Sequence, residues 1–307
     1  MNIRQATRAD NEALCALEAR TPLNIGDTPI FIERDNFFET HDLQERTVVM
    51  LAEEGSEIIG VCAGALVQAP LAGRDRLLLY AHHERIAPER QRKGVGGALT
   101  KAISDYWKDN AAGHIDSSYW YIATGNQQSR NFAERSGNKP WPVSPVMFTL
   151  TPGAASGDKP RQIGAGPTFD IVRLLNATHQ GKDLFRPYEQ VDFGQRLSRS
   201  VEYGWGDAYG RYDGDRLVAV AGLWKGTVAD YGYEPGAEVE MVALLRSLVA
   251  KASWPGHEGL TVFPDPDSAL FARLQALPHS LLELLFYAPR IEPSAPNPAL
   301  YIDPVYF

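Results

Sequence analysis

The chain has 307 residues, 44% hydrophobic and 10% aromatic, the composition of a globular protein with room for about two domains. Its 30 Lys and Arg against 38 Asp and Glu leave a net charge of −8, which argues against nucleic acid as a main partner. No apolar run reaches the ~18–20 residues that cross a bilayer, residues 1–5 lack a secretion-signal core, and Cys15 and Cys62 have no metal spacing, so a cytoplasmic protein with no membrane partner and no metal is expected.

In chain order, residues 3–7 read as a short strand, and Asp10-Asn11 as the cap of a helix with Leu14, Cys15 and Leu17 on its apolar face. Residues 21–33 are turn-rich, and Phe37-Phe38 fits a second short helix. Residues 47–51 and 58–62 are strands joined at Glu54-Gly55-Ser56, a hairpin signal. Residues 77–86 form the next strand, apolar on both faces at first, as a central strand is. It leads into Gln91-Arg92-Lys93-Gly94-Val95-Gly96-Gly97 and then a helix with period Val95, Leu99, Ile103, Tyr106.

Strand, glycine-rich turn and helix start, in that order, leave backbone N–H groups free at a helix N-terminus, a site suited to a phosphate. Glycine at 94 and 96 lets a ligand come close to the backbone, and Arg92 and Lys93 add positive charge. The run is not a Walker A loop, and a dinucleotide fingerprint read from Gly94 would need glycine at 99, which is Leu. Residues 118–123 form another strand. The helix after it is capped by Asn126 and stopped by Gly137.

The 91–97 pattern, Gln/Arg-x-x-Gly-x-Gly/Ala after a strand, resembles motif A of the GNAT acyltransferases (the GCN5-related N-acetyltransferases). The 126–137 helix resembles their motif B, Asn-x-x-Ala/Ser-x-x-Leu/Phe-Tyr-Glu-Lys/Arg-x-Gly-Phe. Asn126, Ser129, Phe132, Glu134, Arg135 and Gly137 fit. Ala133 stands where the family has a Tyr, the usual acid for the leaving thiolate, and Asn138 where it has Phe.

The resemblance implies an α+β (mixed α/β) fold: a mixed, mostly antiparallel twisted sheet flanked by helices. It implies an acetyl-CoA cosubstrate with its pyrophosphate on Gln91, Arg92, Lys93, Gly94, Val95, Gly96 and Gly97. Asn126, Ser129 and Phe132 would add contacts from the second helix. The backbones of Glu84, Arg85 and Ile86 would pair with the pantetheine arm.

Residues 152–167 hold four Gly and three Pro and read as a linker between domains 1–151 and 168–307. The second half looks like a worn copy of the first. Asp213-Gly214-Asp215 matches the hairpin around Gly55, Asp265-x-x-Ser268-x-x-Phe271 repeats Asn126-x-x-Ser129-x-x-Phe132, and Pro304-Val305-Tyr306-Phe307 parallels Pro145-Val146-Met147-Phe148. The candidate loop 233–238, with two acids and no base, would repel a pyrophosphate. Two tandem GNAT-like domains are therefore expected, the second degenerate.

Amide formation from a thioester needs a neutral amine, a donor for the oxyanion and a proton for the thiolate. Tyr80, His82 and Glu84 share one strand face at period two, with His83 on the other; both histidines have a reference pKa that suits a base, and each of the four is a candidate. Tyr119 and Tyr121 are candidates for the missing acid. The expected activity is direct acetyl transfer to a small-molecule or peptide amine in the N-terminal domain. The rivals are a CoA-binding sensor or regulatory module, a scaffold that binds no CoA, and transfer of a longer acyl chain. Monomer and homodimer are both compatible with the sequence.

Overall fold

The strand read at 47–51 and the helix read from Val95 both form in the computed structural model, which describes residues 1–25, 28–164, 166, 168–198, 203–252 and 258–304; Trp107 rather than Tyr106 completes the buried face of that helix. The chain divides into two units, Met1–Pro142 with Leu285–Pro296, and Val143–Leu284 with Asn297–Phe307.

The first unit runs β1 (Asn2–Gln5), α1 (Asn11–Ala19), a ribbon of β2 (Leu23–Ile25) and β3 (Thr28–Ile30), α2 (Glu39–Leu43), β4 (Thr47–Glu54), β5 (Glu57–Leu71), β6 (Arg74–Ile86), α3 (Val95–Asn110), β7 (Ser117–Ala123) and α4 (Gln127–Arg135). Its sheet has the order β1-β4-β5-β6-β7, antiparallel except for the β6/β7 pair. A parallel pair needs a crossover, and α3 supplies it. Val95, Leu99, Ile103 and Trp107 of α3 pack on Ile59, Cys62, Leu66 and Leu79. On the other face Leu14 and Leu17 of α1, with Phe37 and Phe38, cover Val49, Leu51, Val61 and Ala63. Gly55 makes the β4–β5 turn at φ 63°, as its hairpin signal predicts. The Asn126 side chain accepts from the Ser129 N–H at 3.1 Å, and Gly137 ends the helix at φ 76°.

The second unit runs β8 (Val146–Leu150), β9 (Arg161–Gln162), α5 (Thr168–His179), α6 (Gln190–Ser198), β10 (Ala208–Asp213), β11 (Arg216–Trp224), β12 (Thr227–Tyr233), α7 (Glu238–Ala252), β13 (Leu260–Val262), α8 (Ala269–Leu274) and β14 (His279–Tyr287). Its strands lie in the order β9-β10-β11-β12-β13-β8, with the first half of β14 beyond β8. The hairpin β10–β11 turns at Gly214, φ 59°, and β12 pairs parallel with β13 across α7. Meander, then parallel crossover: the path repeats that of the first unit. Met241, Leu244, Leu245, Leu248 and Val249 of α7 fill its core.

Three expectations are corrected. Strand β8, expected to close the first domain, pairs with β13 and β14 in the second unit, while Leu285–Pro296 belongs to the first. Residues 152–164 are no free linker: Ala154 is buried, its carbonyl accepts from Arg246 Nε at 3.0 Å, and β9 adds an edge strand to β10. The N-cap of α8 is Ser268, not Asp265, because the Ser268 hydroxyl receives the Phe271 N–H. Residues 305–307 lie outside the described residues.

Candidate active site

β6 and β7 pair over Leu78–Ser117, Leu79–Ser118 and Tyr80–Tyr119 and no further, although β6 runs on to Ile86 and β7 to Ala123. Beyond that point the two strands are not paired with one another. This is a slot into which an extended chain with amide groups can be laid. The glycine-rich loop stands at its end.

In that loop Gly94 is the N-cap of α3 with φ 85°, and Arg92 also takes a left-handed φ, 60°. A side chain at Gly94 or Gly97 would meet open space, so both approaches to the helix N-terminus are clear. Gln91 braces the loop: its Nε2 donates to the Ile86 carbonyl at 3.2 Å and its Oε1 accepts from Gln128 of α4 at 3.0 Å. Arg92 and Lys93 are exposed and make no ion pair among the described residues. Val95 is a core residue, so only its backbone faces the loop. Phe132 is exposed on α4.

Gly96 is crowded. The space its Cβ would need holds Glu84 Oε1. The sequence places Glu84 on one face with Tyr80 and His82, and the structure does not. A β-bulge sets His83 and Glu84 together opposite Cys62: Arg85 pairs with Val61 and His82 with Ala63. His83 absorbs the extra residue at φ 51°. One inserted residue inverts the alternation that follows. Tyr80, His82, His83 and Arg85 consequently face α1 and α2, while Glu84 and Ile86 face α3. More than a third of Glu84 reaches solvent, yet its carboxyl sits in a concavity dense with protein, and desolvation raises its pKa.

On the α1/α2 side an aromatic stack runs His82–Tyr80–Tyr119, with ring centroids at 4.7 and 4.9 Å. Tyr121 stands edge-on to Tyr80 at 6.2 Å. His41 of α2 lies 5.2 Å from both His82 and His83, and Phe37 closes on His83 at 5.8 Å. The Nδ1 atoms of His82 and His83 are 2.7 Å apart, and Gln44 Nε2 is 3.4 Å from His82 Nε2. Burial lowers the pKa of all three imidazoles, His41 to about 4. Beside them a buried carboxylate, Glu18, holds Arg34 at 2.8 Å and Arg85 at 3.7 Å. His41 is the residue that sequence reasoning missed. His83 was expected on the opposite face, and nothing in the local sequence marks the bulge that brings it round.

Ala133 lies under the ring of Tyr287, which stacks on Trp120 at 5.4 Å. A side chain more than 150 residues away thus fills the space beside Ala133. Burial raises the thiol pKa of Cys15 and Cys62, and neither is a ready nucleophile. Among the described residues no cluster of metal-ligating side chains is present, and no helix is long and apolar enough to cross a membrane.

The profile of the acetyltransferase (GNAT) family matches residues 11–137. In fold the chain is similar to a GCN5-related N-acetyltransferase from Sphaerobacter thermophilus, with TM-score 0.59 and 16% identity over 96% of this chain and 98% of that one. It is also similar to Saccharomyces cerevisiae N-myristoyltransferase with bound myristoyl-CoA, at 0.66 and 9% over 98% and 85%. A GCN5-related N-acetyltransferase from Kribbella flavida gives 0.51 and 14% over 93% and 70%. No curated protein matches the chain in sequence.

Proposed function

We propose that the N-terminal domain transfers an acetyl group from acetyl-CoA to the amine of a small molecule or peptide, by direct attack in a ternary complex. The observation that carries this reading is the parting of β6 and β7 after Tyr80 and Tyr119, beside a helix N-terminus opened by Gly94 and flanked by two exposed cations. The pyrophosphate lies on the N–H groups of loop 91–97, with Arg92 and Lys93 over it, and Asn126, Ser129 and Phe132 border it from α4. The pantetheine arm lies along Glu84, Arg85 and Ile86 and carries the thioester into the slot. Holding both reactants there supplies much of the rate. The base comes from the His82 face of β6, and Tyr121, beside Tyr80, is the candidate donor to the thiolate. Cytoplasm is the fitting compartment.

The second unit is, in this reading, a degenerate copy without its own CoA. Its loop before α7 keeps a left-handed glycine, Gly236 at φ 88°. The α7 first turn, however, carries Glu238 and Glu240, and Glu234 is held by Arg173 at 3.2 Å and Arg216 at 3.0 Å. Negative charge at that helix start opposes a pyrophosphate.

Ala133 favours one second reading, a CoA-binding sensor with little turnover. Thiol release from acetyl-CoA, followed with ethanolamine, lysine, phenethylamine, spermidine and a glycyl peptide, separates the two. Amine-dependent release with an amide product supports the enzyme. Binding without release on any of them supports the sensor. An acetyl adduct retained on Cys15 or Cys62 would overturn direct transfer.

A further inference from the structure

The histidine array at the β6 bulge is wired in a definite order. Gln44, His82 and His83 follow one another at 3.4 Å and 2.7 Å. Two imidazole nitrogens 2.7 Å apart share one proton, so one Nδ1 donates and the other accepts. Gln44 is buried and its Oε1 has no donor. Gln44 also interacts with His41; turning the amide places its oxygen opposite His82 Nε2 and its NH2 toward the buried His41 ring. The wiring then reads His82 Nε2–H to Gln44 Oε1, and His83 Nδ1–H to His82 Nδ1. It leaves a bare lone pair on His83 Nε2, on the one member of the array that is partly open to solvent.

Resting on the acyl-transfer reading, we propose that His83 is the general base for the acceptor amine, with His82 and Gln44 as the positioning residues that hold its Nδ1–H tautomer. The bulge puts His83 three residues past the last β6/β7 pair, where the slot opens. The amine nitrogen bonds to the thioester carbonyl carbon, and the C–S bond breaks with its electron pair leaving on the CoA thiolate. The proton from nitrogen passes to His83 Nε2 and from there to solvent. Burial first, and then the charges around the array, hold His83 unprotonated, so that the amine meets a free lone pair. Arg34 and Arg85 face His83, while Arg34, Arg8 and Asp42 face His41. Glu18 and Glu39 are committed to those arginines. A residue at φ 51° is strained unless it is Gly or one of the few polar types that tolerate it, and Asn is among them, so His83→Asn preserves the bulge.

Two readouts test the proposal. Long-range 15N–1H spectra of 15N-histidine-labelled protein, assigned with His82→Asn and His83→Asn, report tautomers without any substrate. The expected result is His83 protonated on Nδ1 and His82 on Nε2; a His83 Nε2–H tautomer overturns the assignment. In turnover of acetyl-CoA with the best amine of the panel, His83→Asn lowers kcat by roughly 100-fold or more and removes the acid limb of the pH profile. Its affinity for acetyl-CoA is unchanged. Gln44→Ala displaces that limb without removing it. Wild-type kcat in His83→Asn sinks the base. A wild type inert toward every amine sinks the parent reading instead, and the tautomers are still read independently.

Discussion

Glu84 Oε1 fills the space that a Cβ on Gly96 would need, so the carboxylate and the glycine at the start of α3 are fitted to one another. On the acyl-transfer reading, a carboxylate there would lie beside the bound pyrophosphate, and its charge would oppose the incoming anion. Glu84→Gln removes that charge and keeps the shape. It should tighten acetyl-CoA binding several-fold at pH 8, with the gain narrowing as the pH falls toward the raised pKa of the Glu84 carboxyl. Titration calorimetry at two pH values checks this. Weaker binding in the variant would mean that the carboxylate supports the ligand rather than repelling it.

Folding stability should fall on mild acidification. Burial holds His41 to about 4 and His179 to about 3 in the folded chain, against about 6.5 for a free imidazole. The unfolded chain therefore binds protons first. The contribution is complete above pH 6.5 and is lost as the pH descends through the window toward 4. Urea unfolding at pH 8 and pH 5 measures it, and His41→Asn should flatten the difference. Equal stability at both values would contradict the buried, neutral imidazoles.

In the second unit Arg196 donates two hydrogen bonds to Asp303, each 2.8 Å, and faces Asp230 at 3.4 Å. Tyr203 donates to the same Asp230 at 2.6 Å. Arg196→Met leaves the buried Asp230 and the half-buried Asp303 without their cation, a loss of about 3–5 kcal/mol. Chemical denaturation reads it directly. A loss below about 1 kcal/mol would show that water reaches the cluster after all.

Legibility followed locality. The hairpin at Gly55, the left-handed Gly94 and the Asn126 cap each depend on a few adjacent residues whose side chains select a backbone shape, and each stands where its residues imply. Pairing across distance was not legible. Nothing in Val146–Leu150 says that it will join β13, or in Leu285–Pro296 that it will return to the first unit. The glycine and proline content of 152–164 reads as a linker because composition does not show that Ala154 is buried. The bulge at His83 carries no glycine to announce it, and it moved Glu84 off the face that simple alternation assigns. In the second unit the hairpin at Gly214 stands where Asp213-Gly214-Asp215 implies it, whereas the α8 cap is Ser268 and not Asp265.

The central claim is one CoA site per chain, on the loop that Gly94 opens. The most direct measurement is isothermal titration of acetyl-CoA into the wild type and into Gly94→Glu/Gly96→Glu. The account predicts one site per chain in the wild type and none in the double variant. Two sites would contradict the acidic loop before α7 as a dead end, and unchanged binding in the variant would contradict the phosphate loop itself.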